Sequence, residues 1–368
     1  MLSIVVSFLA ALVATLLIIK LSSKIERALD HDLNSVQKIH AHPVPRIGGL
    51  AIYIAAMAGA GLIRWRVPEV GNWVFLVIIS ASLAFSCGIV EDITKRVSPA
   101  RRLVLTMVSA GIGFYLMDAA IVRVDVPFID SWLKYVWLSF PLTVLAVAGI
   151  VNAINIIDGF NGLASVVSMF MLLSLAYVAF QVGDVFVLSA ALIMIGAIAG
   201  FFVWNYPHGL IFLGDGGAYF IGFMLGELTV LLIARNHQVS AWYAALLMIY
   251  PVFETLFSIY RRKFVRGVSP GLPDGVHLHM LIFKRLVRWT IGRRDARALT
   301  RRNSLTSPYL WMLSLMAVIP ATLFWRYQWV LAGFCLLFVI TYVWLYSQIV
   351  RFRAPRWMIL RNKRKKRK

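Results

Sequence analysis

The sequence predicts an all-α, polytopic integral membrane protein with about 11 transmembrane helices. Hydrophobic residues make up 60% of the 368 positions and charged residues only 14%, against roughly 45–50% and 25% in ordinary soluble chains. Eleven apolar stretches can be marked out, and at roughly 20 residues per crossing they use about 220 residues. Most of the surface must therefore face lipid, and no separate soluble domain is predicted.

The predicted spans follow the apolar stretches in order. They are 2–19, 47–63, 73–90, 103–117, 135–151, 163–181, 185–203, 217–234, 241–260, 307–325 and 329–350. The first is interpreted as a spanning helix rather than a cleaved signal peptide, because Lys20 follows it and no basic residue precedes it. Pro251 interrupts the ninth span, where a bend is expected to open a cleft.

The connections between spans differ in charge on the two sides of the membrane. Of the 37 Lys and Arg residues, 31 fall on the side that holds the carboxyl tail and 6 on the other. Because positively charged loops stay cytoplasmic, the tail is predicted inside and the amino terminus outside. Residues 1–350 are then predicted to form a single transmembrane domain, followed by a basic cytoplasmic tail at 351–368. Its predicted cytoplasmic loops are 20–46, 91–102, 152–162, 204–216 and 261–306.

Three further features have structural interpretations. Cys87 and Cys335 lie far apart in apolar stretches, so neither a disulfide nor a zinc site is predicted. The tail directly follows a span and contains no nucleic-acid-binding module, which favours anchoring at an anionic membrane surface over binding nucleic acid. The GxxxG spacings at 196–200 and 222–226 favour close helix packing, since no phosphate-loop pattern is present.

The unusual polar motifs all fall on the predicted cytoplasmic face. They occupy 38–49, 91–95, 152–162, 212–217 and 270–280. An acidic residue near the hydrocarbon edge costs a few kcal/mol unless it is paired, hydrated or metal-bound. For Glu91 a helix cap or a basic partner is the favoured explanation. Asp92, Asp158 and Asp215 together favour a site for one divalent cation, Mg²⁺ or alternatively Mn²⁺, because carboxylate oxygens suit these ions better than zinc.

Other polar residues near these motifs have two kinds of expected role. Lys38, Arg46, Lys95, His277 and His279 supply groups suited to phosphate oxygens. Glu227 is expected to pair inside the helix bundle, and Glu254, one turn beyond Pro251, to face the cleft.

Five motifs, in their order along the chain, carry a resemblance to a known family. They read KIHAHPVPRIGGLAIY, GIVEDITK, NAINIIDGFNGLA, FLGDGGAYFIGF and SPGLPDGVHLHMLI. Together they resemble the polyprenyl-phosphate N-acetylhexosamine-1-phosphate transferase superfamily (glycosyltransferase family 4), over roughly residues 38–283. The match looks closest to the bacterial branch that initiates O-antigen and other surface polysaccharides.

The resemblance implies an activity and a set of partners. A phosphosugar would pass from a UDP-N-acetylhexosamine to undecaprenyl phosphate in the bacterial inner membrane, releasing UMP and requiring Mg²⁺. UDP-N-acetylglucosamine is the default donor, and N-acetylfucosamine or another N-acetylated sugar stays open. Oligomeric state is not predicted.

The resemblance also implies roles for particular residues. Asp215 would be the chief metal ligand and Asp158 a second one, with Asp92 and Glu91 as further catalytic carboxylates. The implied substrate-binding residues are Lys38, His40, Arg46, Lys95, Asn152, Asn155, Asn161, Asn205, Phe212, His277 and His279.

This sequence departs from the family pattern at three positions. Glu91 stands where many members have an aspartate proposed to deprotonate the lipid phosphate, Asn161 replaces a second aspartate, and Met280 replaces a histidine. A phosphate monoester, with a second pKa of about 6, is already mostly dianionic at neutral pH. It therefore needs charge neutralisation and alignment more than a general base. Direct displacement, without a covalent phosphosugar enzyme, is the predicted mechanism.

Two other classes of function remain as alternatives. A secondary transporter for an anionic solute also needs many spans, but it predicts charged or broken helices near the bilayer midplane and an inverted repeat, and no repeat is found. A membrane scaffold that uses the basic tail leaves the five motifs unexplained.

Overall fold

The protein is built from helices that run back and forth as a bundle. A computed structural model describes residues 2–22, 29–30, 44–265, 267, 275–287 and 296–352. The helices are α1 (Leu2–Ser22), α2 (Gly48–Arg66), α3 (Pro68–Thr94), α4 (Pro99–Met117), α5 (Pro127–Leu133), α6 (Val136–Ile157), α7 (Leu163–Val182), α8 (Val185–Asn205), α9 (Gly214–Arg235), α10 (Ala241–Leu247), α11 (Ile249–Tyr260), α12 (Leu278–Leu281), α13 (Ala296–Leu323) and α14 (Gln328–Val350). Short π-helical turns, Arg261–Val265 and Ile282–Val287, continue α11 and α12.

The described strands are two residues long each. β1 (Leu29–Asp30) and β2 (Val44–Pro45) form one antiparallel pair, with Leu29 opposite Pro45 and Asp30 opposite Val44. Because this pair is so short, the all-α class predicted from the sequence is confirmed.

The number of membrane-spanning helices agrees with the sequence. Within the described residues, ten helices are long and apolar enough to cross a bilayer, and the bent pair α10 and α11 brings the number to as many as eleven. The largest boundary difference is α13, which begins at Ala296 rather than at 307. Hydropathy marks only the part of a helix inside the hydrocarbon, whereas the first turns of α13 are polar and bury Asn303 and Thr306 against protein. Which membrane face holds each terminus stays a prediction.

The predicted interruption of the ninth span is present as a sharp bend. The chain turns by 69° between α10 and the helix made of α11 and the π-helical turn that continues it. The break falls at Met248, just before Pro251. Proline has no N–H to donate and its ring clashes with the carbonyl four residues earlier, which here belongs to Leu247, the last residue of α10.

Helix α9 is the centre of the bundle. In an apolar stretch of 18 residues within α9, 89% is buried inside the protein, whereas the corresponding share is 22% in α1 and in α14. It packs against α2, α3 and α6. The predicted packing role of the GxxxG spacings is confirmed, because a Cβ atom on Gly200 would lie 2.3 Å from the Phe8 carbonyl oxygen of α1, and one on Gly222 2.7 Å from the Val151 Cα atom of α6.

Paired glycines bring the first turn of α9 against two neighbours. A Cβ atom on Gly88 of α3 would lie 2.5 Å from the Gly216 Cα atom, and one on Gly49 of α2 would lie 2.2 Å from the Gly217 nitrogen. Both atoms that would be met are backbone, so they cannot move aside as a flexible side chain can. The approach of α2, α3 and α9 at this end of the bundle therefore depends on missing side chains.

We expect Gly88→Ala to destabilise the protein, because the added methyl group meets backbone on α9. Overpacking of this kind costs about 1–3 kcal/mol. The measurement is the Tm of purified variants in one detergent, followed by circular dichroism. Gly149→Ala in α6 is the matched control, since an added Cβ there meets no atom within 4 Å and alanine favours a helix. Equal Tm values for the two variants would contradict the proposed close contact.

Candidate active site

The loop after α6 carries the first group of site residues. Asp158 is the residue that ends α6, and its N–H donates to the Asn155 carbonyl at 3.1 Å. The loop is then fixed by Asn205 at the end of α8, whose Oδ1 accepts from the Gly162 N–H at 2.6 Å and whose Nδ2 donates to the Ile211 carbonyl at 2.7 Å. Asn205, one of the implied substrate-binding residues, thus joins two loops of the site.

The segment before α2 is attached to the loop before α9. The Phe212 N–H donates to the Pro45 carbonyl at 2.8 Å, and the Gly48 N–H donates to the Phe212 carbonyl at 3.0 Å. The Gly49 N–H donates to the Leu213 carbonyl at 2.9 Å. These backbone bonds place Arg46 beside the residues that precede Asp215.

The first turn of α9 is held by Asp92 of α3. Its Oδ1 accepts from the Asp215 N–H and its Oδ2 from the Gly216 N–H, both at 2.9 Å. A carboxylate suits this position because the first N–H groups of a helix lack partners within the helix and carry partial positive charge. Gly214 is required here by its φ of +75°, and because a Cβ atom would lie 1.9 Å from the Arg46 carbonyl oxygen.

These elements enclose a cavity of about 370 Å³ at the end of the bundle where α9 begins. Its lining includes nine of the predicted site residues, namely Arg46, Asn155, Asp158, Asn161, Asn205, Phe212, Asp215, His277 and His279. It also includes Arg102, which sequence reasoning did not single out. Residues that lie more than 200 positions apart in the chain therefore meet at one place.

Opposite charges balance within the cavity. The guanidinium groups of Arg46 and Arg102 lie with the carboxylates of Asp158 and Asp215, and Arg102 Nη1 forms an ion pair with Asp215 Oδ2. Burial raises the pKa of Asp158 to about 7; the Arg46 guanidinium opposes this shift and the Asp215 charge adds to it. The charge of Asp158 therefore changes with pH around neutrality.

Asp92, Asp158 and Asp215 do not together form the single cation site that the sequence predicted. Among the described residues, no group of three or more His, Cys, Asp or Glu side chains is close enough to hold a metal ion. Asp92 is directed elsewhere, because both of its oxygens bind the backbone of α9. Asp158 and Asp215 remain as the two aspartates that line the cavity.

Besides Asp92, three described residues of the predicted site lie outside the cavity lining. Glu91 Oε2 accepts from the Val97 N–H at 2.7 Å, which is the capping role that the residues alone favoured. Lys95 ends α3 with an exposed side chain, and Asn152 Nδ2 donates to the Ala148 carbonyl at 2.8 Å within α6. Lys38 and His40 lie outside the described residues.

The two histidines of the last motif lie side by side. Their rings stack with centroids 5.1 Å apart and an angle of 8° between planes. Glu254 of α11 contacts the first of them, since its Oε1 lies 3.0 Å from His277 Nδ1. Glu254 is buried and contacts a residue of the cavity lining, rather than facing the cleft directly as predicted. The pairing predicted for Glu227 is wrong, because neither of its buried carboxyl oxygens has a hydrogen-bond partner in the described structure.

The departure at Asn161 has a structural reason. Its Nδ2 donates to the Pro207 carbonyl at 3.2 Å and to Ser304 Oγ at 3.4 Å. A carboxylate cannot donate, and an aspartate here would place its charge against the Pro207 carbonyl. The amide thus fits the contact of this loop with α13. Met280, at the third position that departs from the family pattern, lines the cavity and is buried.

Arg102 is the main charged residue that sequence reasoning missed. It lies in the first turns of α4 after Ser98, whose Oγ accepts from the Arg101 N–H. In the sequence it was one of four basic residues in a short loop, and nothing local distinguishes it from the other three. Its position at the end of a predicted cytoplasmic loop, directly before a span, was the one feature of the sequence that could have indicated a role in the site.

Comparison with known proteins agrees with the motif resemblance. The model of glycosyl transferase family 4 matches residues 74–233. A Bacillus subtilis protein named "Probable undecaprenyl-phosphate N-acetylglucosaminyl 1-phosphate transferase" is 30% identical over 291 residues, which cover 76% of this chain and 77% of that protein. The chain belongs to glycosyl transferase family 4.

Other relatives in this family carry different names. A decaprenyl-phosphate N-acetylglucosaminephosphotransferase of Mycolicibacterium smegmatis is 30% identical over 66% of this chain and 65% of its own length. A phospho-N-acetylmuramoyl-pentapeptide-transferase of Streptococcus pneumoniae is 28% identical over 57% of this chain and 64% of its own length. Since the relatives include both kinds of transferase, these matches do not specify one branch.

We expect Asp92→Asn to lower the free energy of unfolding by about 2 kcal/mol, because the new amide would point a donor at one of two backbone N–H groups. The measurement is unfolding by SDS titration in mixed micelles. Glu91→Gln is the neighbouring control, because its carbonyl oxygen still accepts from Val97. A loss in Glu91→Gln as large as in Asp92→Asn would argue against a specific capping role for Asp92.

Proposed function

We propose that the protein transfers an N-acetylhexosamine 1-phosphate from a UDP-sugar, with UDP-N-acetylglucosamine as the default, to undecaprenyl phosphate. UMP is the second product, and the reaction is the first membrane step of a bacterial surface polysaccharide. The observation that carries this proposal is the cavity itself, where two carboxylates, two guanidinium groups and two imidazoles meet at helix ends. The names of the relatives from Bacillus and Mycolicibacterium support the same reaction.

The position of the cavity suits two substrates of opposite solubility. Undecaprenyl phosphate keeps its prenyl chain in the bilayer, whereas a nucleotide sugar arrives from water. A site at the ends of the spans is reached from both. We place it at the cytoplasmic face of the inner membrane, on the distribution of positive charge along the sequence.

The residues of the cavity divide the work of phosphoryl transfer. Arg46 and Arg102 neutralise phosphate oxygens, which reduces the repulsion between two anionic substrates. Asn205 and Phe212 bound the nucleotide end, and His277 with His279 meets phosphate or sugar. The lipid phosphate attacks the β-phosphorus of the donor directly, and UMP departs with the bonding electron pair. No covalent enzyme intermediate is needed.

Asp158 and Asp215 fit a magnesium site. Mg²⁺ commonly binds one or two carboxylates together with substrate phosphates and water, and these aspartates lie in one cavity with groups suited to phosphate. Bound there, Mg²⁺ or Mn²⁺ would supply positive charge to the transferring and departing phosphate oxygens. The ion pair of Arg102 with Asp215 offsets the negative charge of this carboxylate before substrates bind.

Asp215→Ala is expected to lower the transfer of label from UDP-N-acetylglucosamine to undecaprenyl phosphate by at least about 100-fold, since it removes a charged group from the phosphate site. The assay uses purified protein in lipid nanodiscs with Mg²⁺. Glu227→Gln is the matched control, because it also changes an acid of α9 but lies outside the cavity. It should transfer at the wild-type rate.

The same assay separates the competing functions. A panel of N-acetylated UDP-sugars is tested as donors for the wild-type protein. If none of them gives a lipid-linked product, the proposal is rejected and an anionic-solute transporter is favoured instead. Exchange of labelled UMP into the UDP-sugar by lipid-free enzyme would reject direct displacement.

The raised pKa of Asp158 predicts a link between proton and metal binding. One pH unit below a pKa of about 7, roughly a tenth of the carboxyl is ionised, so the apparent Mn²⁺ affinity at pH 6 should be about tenfold weaker than at pH 8. The measurement is Mn²⁺ binding in the presence of UDP, followed by electron paramagnetic resonance. Asp158→Asn should bind more weakly and lose most of the pH dependence. Equal affinity at both pH values in the wild type would contradict the predicted link between the protonation of Asp158 and metal binding.

A further inference from the structure

Glu254 is the centre of a buried polar cluster beside the cavity. Its Oε1 accepts from the Leu278 N–H at 3.1 Å and lies 3.0 Å from His277 Nδ1. Its Oε2 accepts from the Tyr342 hydroxyl at 2.7 Å. Glu254 is 1% exposed and Tyr342 is fully buried. Two donors, the Leu278 N–H and the Tyr342 hydroxyl, therefore face the two oxygens of Glu254, and a proton on His277 Nδ1 would make a third.

The cluster joins three separate parts of the fold. Glu254 belongs to α11, below the bend of the ninth span, Tyr342 belongs to α14, and His277 directly precedes α12. All three lie outside the residues 74–233 that the family model matches. Helix α11 follows the bend of the ninth span, and its Glu254 contacts His277 and Leu278.

We propose that Glu254, oriented by Tyr342, is a positioning residue that fixes the ring of His277 for substrate contact. A carboxylate beside Nδ1 holds the proton of the neutral imidazole on that nitrogen, as is general for oriented histidines. The ring lines the cavity, so Nε2 is the atom it offers to a phosphate or sugar. Because the ring of His279 stacks on His277 and also meets Phe160 edge-on with centroids 5.6 Å apart, fixing one imidazole fixes the pair.

Packing around Glu254 and Tyr342 supports a positioning role over a simple ion pair. Tyr342 also packs against Phe253 and Phe257 of α11, with ring centroids 5.0 and 5.6 Å apart, so its hydroxyl is held in place on the Glu254 side. The backbone bond from Leu278 sets the distance between α11 and the loop. The carboxylate therefore has little freedom, and the imidazole is the one member of the cluster that lines the cavity.

The test measures the protonated nitrogen of His277 directly. Protein labelled with ¹⁵N-histidine is reconstituted in nanodiscs, and the His277 signals are assigned by their loss in His277→Gln. The wild type should show the Nδ1-protonated ring. Glu254→Gln should lose this single form, because the amide can present a donor to Nδ1, and its transfer rate should fall at least about tenfold.

Four further variants make the result decisive. Glu254→Asp keeps the charge and should retain more transfer than Glu254→Gln. Tyr342→Phe should weaken the preference for one ring form with a smaller loss of transfer, whereas Tyr243→Phe, which removes another buried tyrosine hydroxyl, from its contact with Ser174, should change neither readout. Glu227→Gln controls for loss of a buried acid and should also change neither.

The outcomes separate this proposal from the proposed function on which its catalytic part rests. The ring form needs no substrate, so a wild type with Nδ1-protonated His277 but no transfer would reject only the function. A Glu254→Gln protein with the wild-type ring form, or with an altered ring form and the wild-type transfer rate, would overturn the positioning role.

Discussion

A single carboxylate bound to a helix amino terminus is the interaction on which the site depends. Asp92 of α3 accepts from the first N–H groups of α9, and the nearby glycines let the two helices approach closely enough for those bonds. If α3 and α9 stood further apart, Asp215 would leave the cavity. The electronegative oxygens of this side chain also complement the partial positive charge at this helix end. The carboxyl group of Asp92 is thus bound by backbone N–H groups of α9.

Several separate segments of the chain line the cavity, and no single helix supplies all of its residues. The loop after α6 gives Asp158, the segment before α2 gives Arg46, and α4 gives Arg102. Each is held by hydrogen bonds that link loops to one another, such as those of Asn205 and Phe212. Balanced charge keeps the free site stable, while two anionic substrates would add the negative charge that the cations and a metal ion neutralise.

Much of the site followed from residue type and position along the chain. Acids and amides at span ends are costly in lipid, so their presence at 152–162 and 212–217 pointed to function, and all of them except Asn152 line the cavity. The same reasoning grouped Asp92 with the metal ligands. A sequence shows that a carboxylate is near the membrane edge, but the choice between a metal and a backbone N–H depends on which atoms of another helix lie within 3 Å.

The sequence by itself determined the spans, the uneven distribution of positive charge and the membership of glycosyl transferase family 4, because hydropathy and motifs are local properties. The tertiary structure alone decided that Asp92 caps α9, that Arg102 pairs with Asp215 and that Glu254 binds His277. Those partners lie 123, 113 and 23 positions apart. Contacts over such separations follow from how helices pack and where one of them bends, and no local pattern records that.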